Sequence, residues 1–261
     1  MHGRDRPMRE GVFWIEMMRD SYGKILNFRK ARLLLRLIGA GLLLASFSAA
    51  QTPDQAAVIH GIDAAVKARI DHVAAYSVIE HYKVFRGGDE TNPAAEMVVR
   101  TEYRKNQGKN FTILAESGST MLRSQLLGSI LKHEKEMSQP GVRETVLVNS
   151  SNYQFTLKST APQMLNGRSC LLLALRPLRN SPSLFTGTLW VDAKDYSIVQ
   201  LMGKASKSAS FLTGASDVSR QYAMISGYPM AIRAVAVTRS GLMGTTTIQI
   251  DSSNYQVQQT Q

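Results

Sequence analysis

From Val58 onward apolar residues recur at helical spacing: Val58, Ile59, Ile62, Val66 and Ile70 form one stripe, with Asp54, Asp63 and Lys67 off it. Thr52 stands where a cap is wanted, Pro53 at the first helical position, and Gln55 at capping-box spacing. The pattern predicts an amphipathic helix of about four or five turns, with Gly61 its weak point. Beyond it the period falls to two. Val73–Phe85 reads as a long strand, and Ala95–Lys105 and Lys109–Glu116 as a hairpin around Asn106-Gln107-Gly108.

The helical period then returns. Leu122, Leu126, Leu127, Ile130, Leu131 and Met137 predict one helix over 119–137, or two short ones broken at Gly128. Strands resume at Arg143–Val148, Tyr153–Lys158, Arg168–Leu178, Thr186–Val191, Tyr196–Lys204, Val218–Ser226, Met230–Arg239 and Thr245–Tyr255. Turn residues such as Asn166-Gly167 and Gly227-Tyr228-Pro229 separate them. No linker divides residues 51–261, so one domain is expected. A sheet of about ten or eleven antiparallel strands curls rather than staying flat. The expected fold is mainly β (α+β): an open half-barrel with both helices on its concave side.

The first 50 residues follow a different pattern. Arg29, Lys30, Arg32 and Arg36 precede the apolar run Leu37–Phe47, which ends in Ser48-Ala49-Ala50. This is the layout of a secretory signal peptide cleaved between Ala50 and Gln51, and it places the chain in the periplasm. The alternative is an inner-membrane anchor over residues 33–50, although the run is shorter than the ~20 residues a bilayer requires. Residues 1–17 read as an over-extended start, with Met17 or Met18 as the natural one.

Charge changes the picture little. The net charge of +11 is unevenly placed, +5 of it in residues 1–50, and the rest of the chain is mildly basic without a Lys/Arg block, so a nucleic-acid partner is not expected. Cys170, the single cysteine, lies in the apolar run SCLLLALRP and reads as a buried hydrophobe.

Candidate chemistry is sparse. The chain has no Gly-rich phosphate loop and no G-x-S-x-G elbow. His133-Glu134 begins like H-E-x-x-H, but Met137 stands at the second histidine position, so no metal is expected and the KHEKE run reads as a solvated helix face. Asp192 and Asp195 read as turn residues rather than an acid–base pair. Glu80 and His81 point to opposite faces of their strand. Trp190 reads as a core or cavity-lining residue. No catalytic residue and no cofactor are assigned.

The stretches GTLWVDAKDYSIVQLMG, VSRQYAMISGYPMAIRAVAV and LMGTTTIQIDSSNYQV resemble the C-terminal half of the LolA/LolB-like periplasmic outer-membrane lipoprotein-sorting superfamily. The D-G-x-x-[LI]-[WY]-x-Y-x-P stretch of many carriers is replaced here by ESGSTMLRSQLLGSILKHE. The resemblance implies a non-enzymatic carrier whose apolar cavity takes an acyl chain, a phospholipid or a lipidated protein. It also implies membrane-associated donor or acceptor proteins, and a monomer is expected. Leu122, Leu126, Leu127, Ile130, Leu131 and Trp190 are the expected cavity residues. The alternatives are an envelope regulatory or structural protein that binds other proteins, and a lipid-acting hydrolase.

Overall fold

A computed structural model describes residues 54–159, 161–205, 215–240 and 244–260. The expected cleavage at Ala50–Gln51, the alternative anchor over 33–50, and Thr52 and Pro53 lie outside the described residues.

The first helix, α1, runs Gln55–His72. Asp54 caps it, accepting the Ala56 N–H at 3.2 Å, so the cap falls two residues beyond Thr52. An extended residue with a short carboxylate satisfies a donor that the first turn would otherwise leave unpaired. Gly61 is where a tyrosine docks, since a β-carbon there would overlap the ring of Tyr196.

The strands are β1 Val73–Arg86, β2 Ala95–Arg104, β3 Gly108–Gly118, β4 Tyr153–Leu157, β5 Gln163–Leu165, β6 Arg168–Pro177, β7 Phe185–Asp192, β8 Ile198–Ala205, β9 Ala215–Ile225, β10 Tyr228–Ser240 and β11 Gly244–Gln259. They form one antiparallel sheet in the order β3-β2-β1-β11-β10-β9-β8-β7-β6-β4, with β5 added against β6. The sheet is an open half-barrel with β3 and β4 as its ends, as the alternation of the sequence predicts. Joining β1 to β11 brings the first and last strands together in its middle.

Two segments differ from expectation. Arg143–Val146 is a short 3-10 helix rather than the start of a strand. Its polar groups are claimed locally: the Asn152 amide donates to the Glu144 and Leu147 carbonyls, each at 2.8 Å, and Arg143 turns inward to the Tyr103 hydroxyl at 2.6 Å. The insert does not break at Gly128. Leu122–Leu127 winds as a π-helix, with the Gly128 N–H donating to the Arg123 carbonyl, and continues as α2, Gly128–Met137. Short β5 was not anticipated; it pairs with β6 across Asn166-Gly167, both at positive φ.

One face of the sheet is mostly apolar, with Glu80 and Thr101 buried on it. Tyr76, Val78, Glu80, Tyr82 and Val84 are the buried positions of β1, facing Tyr103, Thr101, Val99, Met97 and Ala95 of β2. Three core clusters lie on this face, one of them around Tyr76, Val78, Tyr103 and Met230; the other two hold the helices. Val58 and Ile62 of α1 pack on Tyr153, Phe155, Leu173, Leu189, Val191 and Leu201. Leu122, Leu127 and Leu131 pack on Tyr82, Val84, Ala95, Met97 and Val99. Each helix stripe thus buries against a different part of the sheet, and such burial stabilises by about 1.5–3 kcal/mol per large apolar side chain.

Candidate functional site: a cavity on the inner face

The sheet's inner positions are not uniformly large. One cross-strand row reads Leu175, Gly187, Gly203, Val218, Ala236, Ile248, Val84 and Ala95. Its ends are filled by the helices, but its middle carries two glycines, a valine and an alanine. Gly187 and Gly203 approach so closely that a β-carbon on either would meet backbone of the other strand. Further along the row Val218, Ala236 and Ile248 leave space under the helical cover. The space is a cavity of about 380 Å³, reached by residues of α1, α2, the 143–148 segment and both halves of the sheet. That volume lies within the range of small-molecule sites, about 300–1,000 Å³.

The walls are mostly apolar: Ile70, Ile130, Met137, Phe185, Leu201, Val218, Ala236, Ile248 and Ile250 among them. A charged group crosses this lining. Glu134 of α2 receives Lys109 Nζ of β3 at 2.7 Å and faces Arg220 of β9 at 3.7 Å. Their side chains keep 19% (Lys109), 30% (Glu134) and 37% (Arg220) of their surface, and all three line the cavity. Next to them Glu80, 8% exposed, accepts from Thr101 Oγ1 at 2.6 Å and the Tyr82 hydroxyl at 2.8 Å.

The electrostatics follow from this packing. Lys109, with Arg220 adding to it, holds the Glu134 carboxyl down at about 2, against the opposing effect of burial. Burial disfavours a charged Lys109, but the Glu134 carboxylate outweighs it and raises the ammonium above its ordinary value. Burial pushes the Tyr82 hydroxyl well up, with Glu80 adding to it, so Tyr82 remains a neutral donor. These ion pairs tie α2 to β3 and β9 across an otherwise apolar space.

The expected site residues divide. Ile130 lines the cavity. Leu122, Leu127 and Leu131 are buried in the core between the insert and β1–β2, with Leu126 packed against the same cluster; none of these four lines the cavity. Trp190 is on the other face of β7 from the buried Leu189 and Val191, opposite Leu172 and Gln200, and is also outside the lining. Strand alternation sends it outward, so it is neither cavity wall nor inner core.

His133 and Glu134, expected on a solvated face, turn inward, while Lys132, Lys135 and Glu136 are exposed. Glu134 follows Ile130 by one helical turn, and that spacing overrides the charge of the run. Arg69, Glu80, Lys109 and Arg220 were also not anticipated as lining residues. The signal was present for two of them: Glu80 and Arg220 are charged residues on the buried phase of alternating strands.

The Asp192 turn behaves as its sequence suggests, with Oδ1 accepting the Lys194 and Asp195 N–H groups at 2.8 and 3.3 Å. Cys170 is a free, buried thiol. Among the described residues no group of side chains could hold a metal ion, and no helix is long and apolar enough to cross a membrane.

Solved structures supply the outside comparison. The chain is similar to a LolA superfamily protein from Nitrosomonas europaea, with 11% identity over 79% of this chain and 94% of that one, TM-score 0.43. It is also similar to a putative outer membrane lipoprotein-sorting protein domain from Vibrio parahaemolyticus, with 14% identity, 76% and 91% coverage, and TM-score 0.45. A DUF1329 family protein from Desulfovibrio piger is a third, with 13% identity, 77% and 92% coverage, and TM-score 0.41. No family model and no curated protein matches it.

Proposed function

We propose that this protein is a non-enzymatic binding protein or carrier that takes an acyl chain, free or as part of a phospholipid or lipidated protein, into the cavity on the inner face of its sheet. The observation that carries the reading is the cavity itself, about 380 Å³ of largely apolar space beneath α1 and α2. Sites for apolar ligands combine such walls with a few oriented polar groups. The leader-like first 50 residues support a periplasmic setting, where a carrier would meet membrane-associated donors and acceptors as a monomer.

Two substitutions test it by displacement of a fluorescent fatty acid. Leu127→Ala, in packed core, should lower stability by about 2–5 kcal/mol and leave probe affinity unchanged. Ile130→Ala, at the cavity wall, should lose less stability and weaken the probe. A wild-type chain that binds no apolar probe would refute the proposal.

A second reading, protein contact through a sheet end, is favoured by β3, which exposes Ile113 at 50% and Leu114 at 44% beside an unpaired strand edge. Ile113→Lys should then abolish capture of an envelope protein and leave probe binding intact.

A further inference from the structure

Among the described residues two buried side-chain nitrogens lack a hydrogen-bond partner, Nε of Arg69 and Nε of Arg123. They differ in setting. The guanidinium of Arg123 is matched by Glu116 and by Thr120 Oγ1 at 3.1 Å. Arg69, in the last turn of α1, lines the cavity, and no described carboxylate pairs with it.

The charge balance of the lining points the same way. Lys109 and Arg220 share the Glu134 carboxylate, at 2.7 and 3.7 Å, and Arg143 Nε donates to Glu144 at 2.8 Å. Of four lining cations, Arg69, Lys109, Arg143 and Arg220, three have a carboxylate to answer them, which leaves Arg69 over. Around it stand hydroxyl-bearing rings. Tyr76 lies within electrostatic reach of Arg69, stacks on Tyr103 at 4.9 Å and meets Tyr255 at 5.9 Å. Arg69 is half-buried, but its Nε is fully enclosed, and enclosed polar groups without partners are rare enough to require an explanation. A planar guanidinium fits a carboxylate or a phosphate with paired hydrogen bonds.

We infer that the cavity selects an amphiphile with an anionic head, carboxylate or phosphate, seated on Arg69 beside the Tyr76–Tyr103 pair, with its chain laid along the Val218–Ala236–Ile248 row. The inference rests on the acyl-chain reading of the cavity and adds the class of head group. Arg69 is then the selecting residue, and the small side chains at the middle of the sheet provide the groove for the chain.

Displacement of a fluorescent fatty acid by three sixteen-carbon competitors tests it: hexadecanoate, hexadecyl phosphate and uncharged hexadecanol. Either anion should bind the wild-type chain about tenfold or more tightly than the alcohol, the scale of one charge-assisted contact. The better anion identifies the head. Arg69→Gln should bring the anions to the level of the alcohol, leave the alcohol unchanged, and keep or raise the ligand-free melting temperature. Arg69→Lys should retain part of the preference. Equal wild-type affinity for alcohol and anions would overturn the anionic seat while leaving the acyl-chain reading intact. So would an Arg69→Gln variant that loses all three competitors equally. Failure to bind any of the three would instead bring down the acyl-chain reading itself.

Discussion

Glu134→Gln is the most informative single substitution for the cavity's architecture. The carboxylate stands between Lys109 at 2.7 Å and Arg220 at 3.7 Å, and its pKa is drawn from 4.5 to about 2. That displacement corresponds to roughly 3 kcal/mol of preference for the ionised form in the folded state. With 30% of the side chain still accessible, screening reduces the expected contribution to about 2–3 kcal/mol. Because the folded-state value lies below the unfolded one, this stability is fully present above about pH 4.5 and disappears as the pH falls toward 2. The glutamine variant keeps the shape but leaves two cations without their shared anion. It should therefore be about 2–3 kcal/mol less stable at pH 7, lowering the melting temperature by roughly 4–12 °C for a domain of this size. Urea denaturation of both proteins at pH 7, 5, 4 and 3 isolates the effect, since every other titrating carboxyl is common to the pair. The gap should hold from pH 7 to 5 and shrink from pH 4 downward. A gap that stays constant to pH 3, or equal stability at pH 7, would refute the assigned ion pairing.

Two further predictions concern packing. Gly61→Ala places a methyl against the ring of Tyr196 and should destabilise by about 1–3 kcal/mol despite alanine's better helix propensity. Tyr196→Ala should relieve most of that strain in the double variant, and chemical denaturation of the full double-mutant cycle checks it. Cys170 is fully buried, with its thiol raised first by desolvation, so it should resist iodoacetamide in the native protein and react after denaturation; intact mass after brief labelling tests this.

Much of the architecture was readable from period alone. Strands β1, β2 and β3 fall where alternation put them, and Leu122, Leu127 and Leu131 are as buried as their helical spacing implied. The errors arose where local polarity was allowed to outweigh spacing. His133 and Glu134 were assigned to solvent because their neighbours are charged, although Glu134 shares a face with Ile130. Trp190 was read as a core or cavity-lining residue, although it alternates with the buried Leu189 and Val191. The cavity itself depends on register. That Gly187 faces Gly203, and that Val218 and Ala236 extend the same row, depends on the register of successive strand pairs, which alternation alone does not fix and which is shifted by an irregularity between Trp190 and Val191. The 143–146 turn was hidden because its apolar residues mimic strand alternation, while what holds it is one nearby amide, Asn152, and one distant hydroxyl, Tyr103.

Among the described residues the two ends of the sheet, β3 and β4, pair with no further strand. In a closed barrel, strand number and stagger fix the bore, and widening it means tearing the ladder. Here no further strand closes the wall, and what holds it to the helices is side-chain contact with α1 and α2, the Lys109–Glu134–Arg220 tie and hydrogen bonds such as Ser183 to His133 and Arg143 to Tyr103. Capacity is therefore set by the clasp rather than by the wall. A bulkier guest can be admitted by releasing a few ionic and apolar contacts, and the same contacts re-form when it leaves.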